Sequence, residues 1–119
     1  MYRILIAEDE ERIAQLLDKG LRRQGFAATV ARNGGEVLAL VKQGAYDLLL
    51  LDLGLPDIDG MEVLRELRAT ARDLPVIILS ARTDERDIAA GYAGGAREYV
   101  TKPFKFSDLI AKIDKIRQP

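Results

Sequence analysis

Short apolar runs alternate along the chain with longer segments in which apolar residues recur every three or four positions. The short runs are rich in Ile, Leu and Val, as in a parallel sheet covered on both faces, and the longer segments are typical of amphipathic helices. Five strand–helix units can be counted. The predicted strands are Ile4–Ala7, Ala27–Ala31, Leu48–Leu51, Val76–Leu79 and Glu98–Thr101. The second and fifth are more mixed in composition, so we expect them toward the edges of the sheet.

Cap and turn residues delimit the helices between these strands. We expect the first helix to end near Gly25. The second should begin at Asn33, with Glu36 three places later as in a variant capping box, and end at Gly44. The third should have Asp59 as its N-cap and Glu62 at N3. The predicted apolar faces carry Ile13, Leu16, Leu17 and Leu21 in the first helix, Val63, Leu64 and Leu67 in the third, and Phe106, Leu109, Ile110, Ile113 and Ile116 in the fifth. The fourth helix, Asp84–Ala93, is short and rich in alanine and glycine, which predicts weak packing and an element that can shift.

Composition narrows the possible chemistry. The 119 residues, 48% of them hydrophobic, suit one domain with a real core. The chain contains no Cys and no His, so disulfides, thiolate chemistry and imidazole ligands are excluded. A net charge of −1 gives no basic field for nucleic acid, so we expect no direct nucleic-acid binding by this segment. No signal peptide or membrane-spanning run is evident, and we expect a cytoplasmic protein without membrane contact.

Polar residues follow four of the predicted strands. Glu8-Asp9, Asp52, Ser80 and Thr101-Lys102-Pro103 come directly after the first, third, fourth and fifth strands. Since the carboxyl ends of parallel strands lie at one edge of a sheet, these side chains should converge on one cleft. Three carboxylates together are costly unless a cation neutralises them, and an all-oxygen cluster suits Mg²⁺ or Mn²⁺. The alternative is that the acids after the first strand only favour the start of a helix.

Asp52 follows the most apolar strand, so its carboxylate should be rigidly held and partly dry. A carboxylate beside a metal can attack a phosphoryl group, with a lysine such as Lys102 sharing the charge on the phosphoryl oxygens. Lys102 could instead be a solvated surface lysine, and Ser80 a helix cap or turn residue. The position of Ser80 at a strand end favours a hydroxyl that can donate to a phosphoryl oxygen. A cis bond before Pro103 would tighten that turn.

These residues resemble the response-regulator receiver domain of two-component signalling over essentially the whole chain. The stretches that carry the resemblance are Ile4-Leu5-Ile6-Ala7-Glu8-Asp9-Glu10, Leu51-Asp52-Leu53-Gly54-Leu55-Pro56-Asp57-Ile58-Asp59-Gly60, Leu79-Ser80-Ala81-Arg82 and Gly95-Ala96-Arg97-Glu98-Tyr99-Val100-Thr101-Lys102-Pro103-Phe104. The resemblance implies an α/β, flavodoxin-like (CheY-like) three-layer (βα)5 sandwich with five parallel strands in the order 2-1-3-4-5.

The resemblance also implies a role for each matching residue. Asp52 would be the phosphoacceptor, Asp9 a direct metal ligand, Glu8 an acidic partner acting through water, and the backbone carbonyl of Gly54 a further ligand. The implied metal is Mg²⁺ or Mn²⁺. The implied partner is a sensor histidine kinase. The domain would catalyse only its own phosphorylation and dephosphorylation, and is therefore not interpreted as an enzyme.

A second group of residues would carry the response. The resemblance makes Ser80 the switch hydroxyl, Lys102 the phosphate-binding lysine and Tyr99 the aromatic that changes rotamer with Ser80. The reading of Tyr99 as a half-buried strand aromatic is compatible with this role, since a switch residue must pack in both states. The surface of the fourth helix, fifth strand and fifth helix would then change. In similar receivers that surface forms a two-fold dimer, so we predict a weak homodimer that phosphorylation enhances, to which Glu98 with Lys112 could supply an ion pair.

The turn at Lys102-Pro103-Phe104 and the loop before Gly60 are most similar to receivers of the OmpR/PhoB subfamily. Such receivers normally precede a winged-helix DNA-binding domain, and no such domain is present in this sequence. We interpret residues 1–119 as a receiver domain whose C-terminal DNA-binding effector domain is absent from this segment. Two residues depart from the subfamily: Gly54 replaces a bulkier residue, which leaves the dephosphorylation rate open, and Arg97 replaces an acid.

Three other functions share features with this sequence. An aspartyl-phosphate phosphatase would use an Asp-x-Asp pair, but Gly54 stands two residues beyond Asp52. A flavin-binding module on the same fold would need a phosphate-cradling loop, and no Gly-rich loop of that kind is present. A stand-alone receiver that acts only through protein contacts stays open. A transcriptional output is the favoured expectation.

Overall fold

The computed structural model describes residues 1–71 and 73–118. In these residues five strands alternate with five helices. The strands are β1 (Arg3–Ala7), β2 (Ala27–Ala31), β3 (Leu48–Asp52), β4 (Val76–Ser80) and β5 (Glu98–Thr101). The helices are α1 (Glu11–Arg23), α2 (Gly34–Gln43), α3 (Gly60–Thr70), α4 (Glu85–Ala93) and α5 (Phe106–Arg117). Pro119, the last residue of the predicted domain, lies outside the described residues.

All strand pairs are parallel and their order is β2-β1-β3-β4-β5. The predicted order 2-1-3-4-5 and the edge positions of the second and fifth strands are therefore confirmed. The register places Ala7 beside Leu51, Asp52 beside Leu79 and Ser80 beside Thr101. Strand ends that bear polar residues consequently lie in one row at the carboxyl edge.

Two apolar cores lie on opposite faces of the sheet, which gives the predicted three layers. Leu49 and Leu51 point into one core, whereas Leu48 and Leu50 point into the other. The first core also contains Val37 of α2 and Leu64 of α3. The second core contains, from α1 and α5, the buried residues Leu17, Leu21, Leu109 and Ile113. Burying a Leu side chain contributes about 1.5–3 kcal/mol, so the unbroken leucine run of β3 is a main source of stability.

Helix boundaries follow the cap residues, with one difference in detail. Asn33 accepts a hydrogen bond from the amide of Glu36 at 2.8 Å, as its place before α2 predicts. Gly25 has a φ of +91°, which permits the turn after α1. Asp59 lies at the N-cap of α3, but its carboxylate makes no cap hydrogen bond. The predicted N-cap position of Asp59 is therefore confirmed, but its carboxylate binds Arg82 instead of the amides of α3.

The predicted apolar faces need two corrections. Leu16 of α1 is 54% exposed, because the buried stripe of that helix runs through Ala14, Leu17 and Leu21. In α5 only Leu109 and Ile113 are fully buried, and the other predicted positions, Phe106, Ile110 and Ile116, are partly buried against the same core. Helix α4 buries only Gly91 among its residues, in agreement with its predicted weak packing.

Candidate phosphoacceptor and metal site

Three carboxylates meet at the carboxyl ends of β1 and β3. Glu8 and Asp9 follow β1 directly, and Asp52 is the last residue of β3. One carboxylate oxygen from each of these residues lies within 4.8 Å of the others. The parallel pairing of β1 with β3 brings them together, as the sequence predicts. The donors are all carboxylate oxygens, and this set fits Mg²⁺ or Mn²⁺.

The three acids differ in burial. Glu8 is 1% exposed and Asp52 is 7% exposed, whereas Asp9 faces solvent. The backbone amide of Glu8 donates to the carbonyl of Ala31 at 3.0 Å, which fixes the chain where it leaves β1. The amide of Gly54 donates to Asp52 Oδ1 at 3.2 Å. The amide of Glu10 donates to Glu8 Oε2 at 3.2 Å, so the backbone orients both buried carboxylates.

Lys102 lies between the two buried carboxylates. Its Nζ donates to Glu8 Oε1 at 2.8 Å and is 3.4 Å from Asp52 Oδ1. Its backbone amide donates to the carbonyl of Ser80 at 2.8 Å, and the peptide bond to Pro103 is cis. The side chain of Lys102 is 14% exposed, so the reading as a solvated surface lysine is wrong.

Burial and charge act on this pair together. Burial of Glu8 raises the pKa of its carboxyl, the Lys102 hydrogen bond lowers it, and the negative charge of Asp52 raises it further. Burial alone would lower the pKa of Lys102, but its hydrogen bond to Glu8 and the charges of Glu8 and Asp52 raise the pKa above its ordinary value. Lys102 therefore stays an ammonium ion beside Asp52 at neutral pH.

Ser80 and Tyr99 lie at the neighbouring strands. Ser80 is the last residue of β4, is 2% exposed, and accepts a hydrogen bond from the amide of Arg82 at 3.0 Å. Tyr99 of β5 is 9% exposed, and its hydroxyl donates to the carbonyl of Arg82 at 2.8 Å. Tyr99 is therefore buried in this structure, in line with a residue that packs in the core on the α4 side.

Two tethers of the loop after β3 were missed by the sequence reasoning. The carboxylate of Asp57 accepts hydrogen bonds from the amides of Gly34 at 2.7 Å and Gly35 at 2.9 Å. The carboxylate of Asp59 accepts from Arg82 at 2.8 Å. The partners of both carboxylates lie more than twenty residues away in sequence, and only the fold brings them near. A possible signal was the Pro-Asp-x-Asp-Gly pattern, since a turn aspartate often binds backbone amides.

The order of these residues along the chain matches a known family. Residues 4–114 match the family model for the response regulator receiver domain. The chain belongs to this family. The resemblance to receiver domains noted in the sequence is thereby confirmed over nearly the whole chain.

Relatives agree with this assignment. The uncharacterized transcriptional regulatory protein YkoG of Bacillus subtilis is 47% identical over 92% of this chain and 48% of its own length. The transcriptional regulatory protein PcoR of Escherichia coli is 39% identical over 95% of this chain and 50% of its own length. The chain therefore spans about half the length of the curated relatives it matches.

Solved structures share the fold over the whole domain. The response regulator TrrA of Thermotoga maritima, in complex with Mg²⁺-BeF, has a TM-score of 0.88 and 39% identity, and the match covers 98% of this chain and 99% of TrrA. The receiver domain of the Francisella response regulator 1452 has a TM-score of 0.92 and 34% identity, with 98% and 96% covered. In the described residues no helix is long and apolar enough to cross a membrane.

Proposed function

We propose that Asp52 accepts a phosphoryl group from a sensor histidine kinase. The observation that carries this proposal is the buried Asp52 carboxylate held 3.4 Å from the Lys102 ammonium and within 4.8 Å of carboxylate oxygens of Glu8 and Asp9. A carboxylate of this kind is a nucleophile with fixed aim, next to positive charge that can stabilise the transferred group.

The transfer has a simple balance of bonds. An oxygen of Asp52 attacks the phosphorus of a phosphohistidine, and a P–O bond forms as the P–N bond breaks. The histidine ring, protonated from water on its other nitrogen, leaves with the bonding electrons as neutral imidazole. Lys102 binds the phosphoryl oxygens, and the hydroxyl of Ser80 donates to one of them. No second acid stands where a hydrolase needs one, so the domain catalyses only its own phosphorylation and dephosphorylation.

A divalent cation belongs to this proposal. Asp9, Asp52 and the carbonyl of Gly54 would hold Mg²⁺ or Mn²⁺, and Glu8 would assist through water. The bound cation would neutralise the carboxylates and the charge that develops on the phosphoryl oxygens. The cluster of three carboxylates supports this choice, because its donors are all oxygens, and the TrrA neighbour is a complex with Mg²⁺-BeF.

The proposed output is control of transcription. The relatives named above are transcriptional regulators about twice the length of this chain. We infer that in the full-length protein a C-terminal DNA-binding domain responds when phosphorylation changes the surface of α4, β5 and α5. Ser80 and Tyr99 are the proposed switch residues, because Ser80 adjoins the site and Tyr99 packs beneath α4.

The proposal is tested by intact-mass analysis after incubation with a small phosphodonor or a phosphorylated histidine kinase. We expect one phosphoryl group on the wild type in the presence of Mg²⁺ or Mn²⁺, and none after chelation. Asp52→Asn should accept none, whereas Asp57→Asn, a control in the same loop, should still accept one. Undiminished incorporation in Asp52→Asn would refute the assignment.

We also propose a weak homodimer of the α4–β5–α5 surface that phosphorylation enhances. Lys112 and Glu98 are paired within one chain at 3.1 Å, so their use across a dimer would require an exchange of partners. Arg97 and Asp114 both carry the opposite charge to the usual pattern at the dimer surface of similar receivers. Arg97 is exposed, and Asp114 pairs with Arg117 of the same chain at 3.2 Å. Sedimentation with and without beryllofluoride tests this point. A monomer in both conditions at high concentration would exclude the dimer and leave the phosphoacceptor proposal intact.

A further inference from the structure

Arg82 contacts both proposed switch residues through its backbone. Its amide donates to Ser80 Oγ at 3.0 Å, and its carbonyl accepts from the Tyr99 hydroxyl at 2.8 Å. A displacement of Arg82 would therefore change the surroundings of both side chains. Arg82 lies in the segment between β4 and α4, so a shift of this segment would move the hydrogen-bond partners of Ser80 and Tyr99.

The side chain of Arg82 reaches across to the loop that follows the phosphoacceptor. Its guanidinium donates to Asp59 Oδ1 at 2.8 Å, to Asp59 Oδ2 at 3.4 Å and to the carbonyl of Leu53 at 3.4 Å. The hydrogen bond to Asp59 raises the pKa of Arg82 above its ordinary value despite partial burial. The segment after β4 and the loop after β3 are thus linked by an ion pair in which the Arg82 guanidinium contacts both carboxylate oxygens of Asp59.

The carboxylate of Asp59 does not cap its own helix. Asp59 occupies the N-cap of α3, where an aspartate normally accepts a hydrogen bond from the helix's own amides, yet its carboxylate makes no such bond. The two ends of the same loop are joined by a hydrogen bond, in which the amide of Gly60 donates to the carbonyl of Leu53 at 2.8 Å. The carboxylate is therefore presented to Arg82 from an anchored loop.

We propose that Arg82 is a positioning residue. Its ion pair with Asp59 holds the Arg82 carbonyl in place for the Tyr99 hydroxyl. The pair thereby favours the buried orientation of Tyr99 before any phosphoryl group is present. This inference rests on the proposed function in one respect, since the orientation of Tyr99 matters for signalling only if it reports on Asp52. The effect of the Arg82–Asp59 pair on the orientation of Tyr99 does not depend on the phosphorylation of Asp52.

Other contacts also hold Tyr99, so the share of Arg82 is limited. The amide of Tyr99 donates to the Tyr92 hydroxyl at 3.2 Å. A Cβ placed on Gly91 would lie 3.0 Å from the Tyr99 ring, so ring and helix pack closely. The side chains of Arg82 and Asp59 are 37% and 49% exposed. A pair this exposed can change the ratio of buried to exposed Tyr99 by about twofold to fivefold.

The test is NMR of the unphosphorylated chain, with its four tyrosines labelled with ¹³C at the ε carbons and Tyr99 assigned through Tyr99→Phe. The readout is the set of NOEs from the Tyr99 ring to Gly91 and Ile78. Arg82→Met should weaken these NOEs, with the buried-to-exposed ratio falling about twofold to fivefold. Arg82→Lys should restore part of the loss, because it keeps the charge.

Asp59→Asn provides a second, independent route to the same result. Its effect should be in the same direction and no larger than that of Arg82→Met, which also removes the contact with the Leu53 carbonyl. The double variant should be no worse than Arg82→Met alone, because the ion pair is already lost in that variant. The matched control is Arg65→Met, which removes the exposed Arg65–Glu62 pair within α3 and should leave Tyr99 unchanged. Circular dichroism checks that each variant is folded.

Unchanged Tyr99 NOEs in both Arg82→Met and Asp59→Asn would overturn the proposal, as would an equal effect of the control. If one variant fails to fold, the other decides. No phosphodonor or metal is present, so the result does not depend on phosphorylation of Asp52. Conversely, failure of Asp52 to accept a phosphoryl group would leave the NOE result as it is.

Discussion

Two groups of residues at the carboxyl edge are held in different ways. In the first group, Glu8, Asp52 and Lys102 lie at the ends of β1, β3 and β5, and contacts of 2.8 and 3.4 Å join their largely buried charges. In the second group, Ser80 and Tyr99 both bind the backbone of Arg82, in a segment that leads to α4, of which only Gly91 is buried. The proposed chemistry thus lies on rigid strands, and the proposed response lies where little apolar surface holds the structure.

This difference has a physical reason. A phosphoryl transfer needs charges held in fixed positions, because preorganised charge stabilises the reacting group without reorganisation. A switch needs two arrangements that differ by only a few kcal/mol. Dense packing on both sides would favour one arrangement too strongly. We therefore expect substitutions in the first region to affect chemistry, and substitutions in the second to affect conformation.

The largest expected effect is that of Lys102→Ala. Removal of the ammonium that contacts Asp52 should slow phosphorylation by about 10²-fold or more, the cost of losing one preorganised donor. Metal binding should survive, because the lysine binds phosphoryl oxygens and not the cation. Metal titration and phosphorylation kinetics measure the two effects separately. Lys105→Ala, an exposed lysine of the same turn, is the control, and a wild-type rate in Lys102→Ala would contradict the prediction.

A smaller effect is expected on the switch side from Gly91→Ala. The new Cβ would lie 2.8 Å from Ile78 Cδ1 and 3.0 Å from the Tyr99 ring, and such overpacking costs about 1–3 kcal/mol. The gain in helix propensity of about 1 kcal/mol offsets part of this cost. We expect a lower free energy of unfolding, and displaced Tyr99 resonances, with phosphorylation of Asp52 retained.

The control for this prediction is Gly35→Ala in the first turn of α2. A Cβ there meets its nearest neighbour at 3.4 Å, an ordinary contact, so the variant should be as stable as the wild type or slightly more so. Chemical denaturation of both variants makes the comparison. If Gly91→Ala proved no less stable than Gly35→Ala, the close packing of α4 on Tyr99 would be in doubt.

The smallest expected effect concerns Asp57, which tethers the loop after β3 to α2. Hydrogen bonds from the amides of Gly35 and Gly34 lower the pKa of its carboxyl below its ordinary value. A lowered pKa in the folded state means that this stabilisation is present above the unfolded-state pKa of about 3.9 and is lost as the pH falls through the lower folded-state value.

Asp57→Asn should therefore be slightly less stable than the wild type at pH 7, and the difference should shrink as the pH falls below about 4. Denaturation at several pH values measures it. Asp73→Asn, an exposed acid elsewhere on the surface, is the reference. A stability difference that is independent of pH would show that the tether does not depend on the charge of Asp57.

Much of this protein was determined by the sequence alone. The leucine run of β3 and the alternation of apolar runs with amphipathic segments predicted the sheet and its layers, because burial on both faces demands such patterns. The placement of Glu8, Asp9 and Asp52 at the ends of strands predicted the carboxylate cluster, because parallel strands share one edge. These inferences hold because they depend on local pattern and on topology rules with few exceptions.

Tertiary structure decided the rest. The exposure of Leu16 depends on the rotation of α1 on the sheet, which a recurring apolar pattern with several possible faces does not specify. The carboxylate of Asp59 could bind its own helix or a distant guanidinium, and only the proximity of Arg82, 23 positions away along the chain, favours the second. Such choices follow from competition between local and distant partners of similar strength, and the folded chain alone sets the distances that decide it.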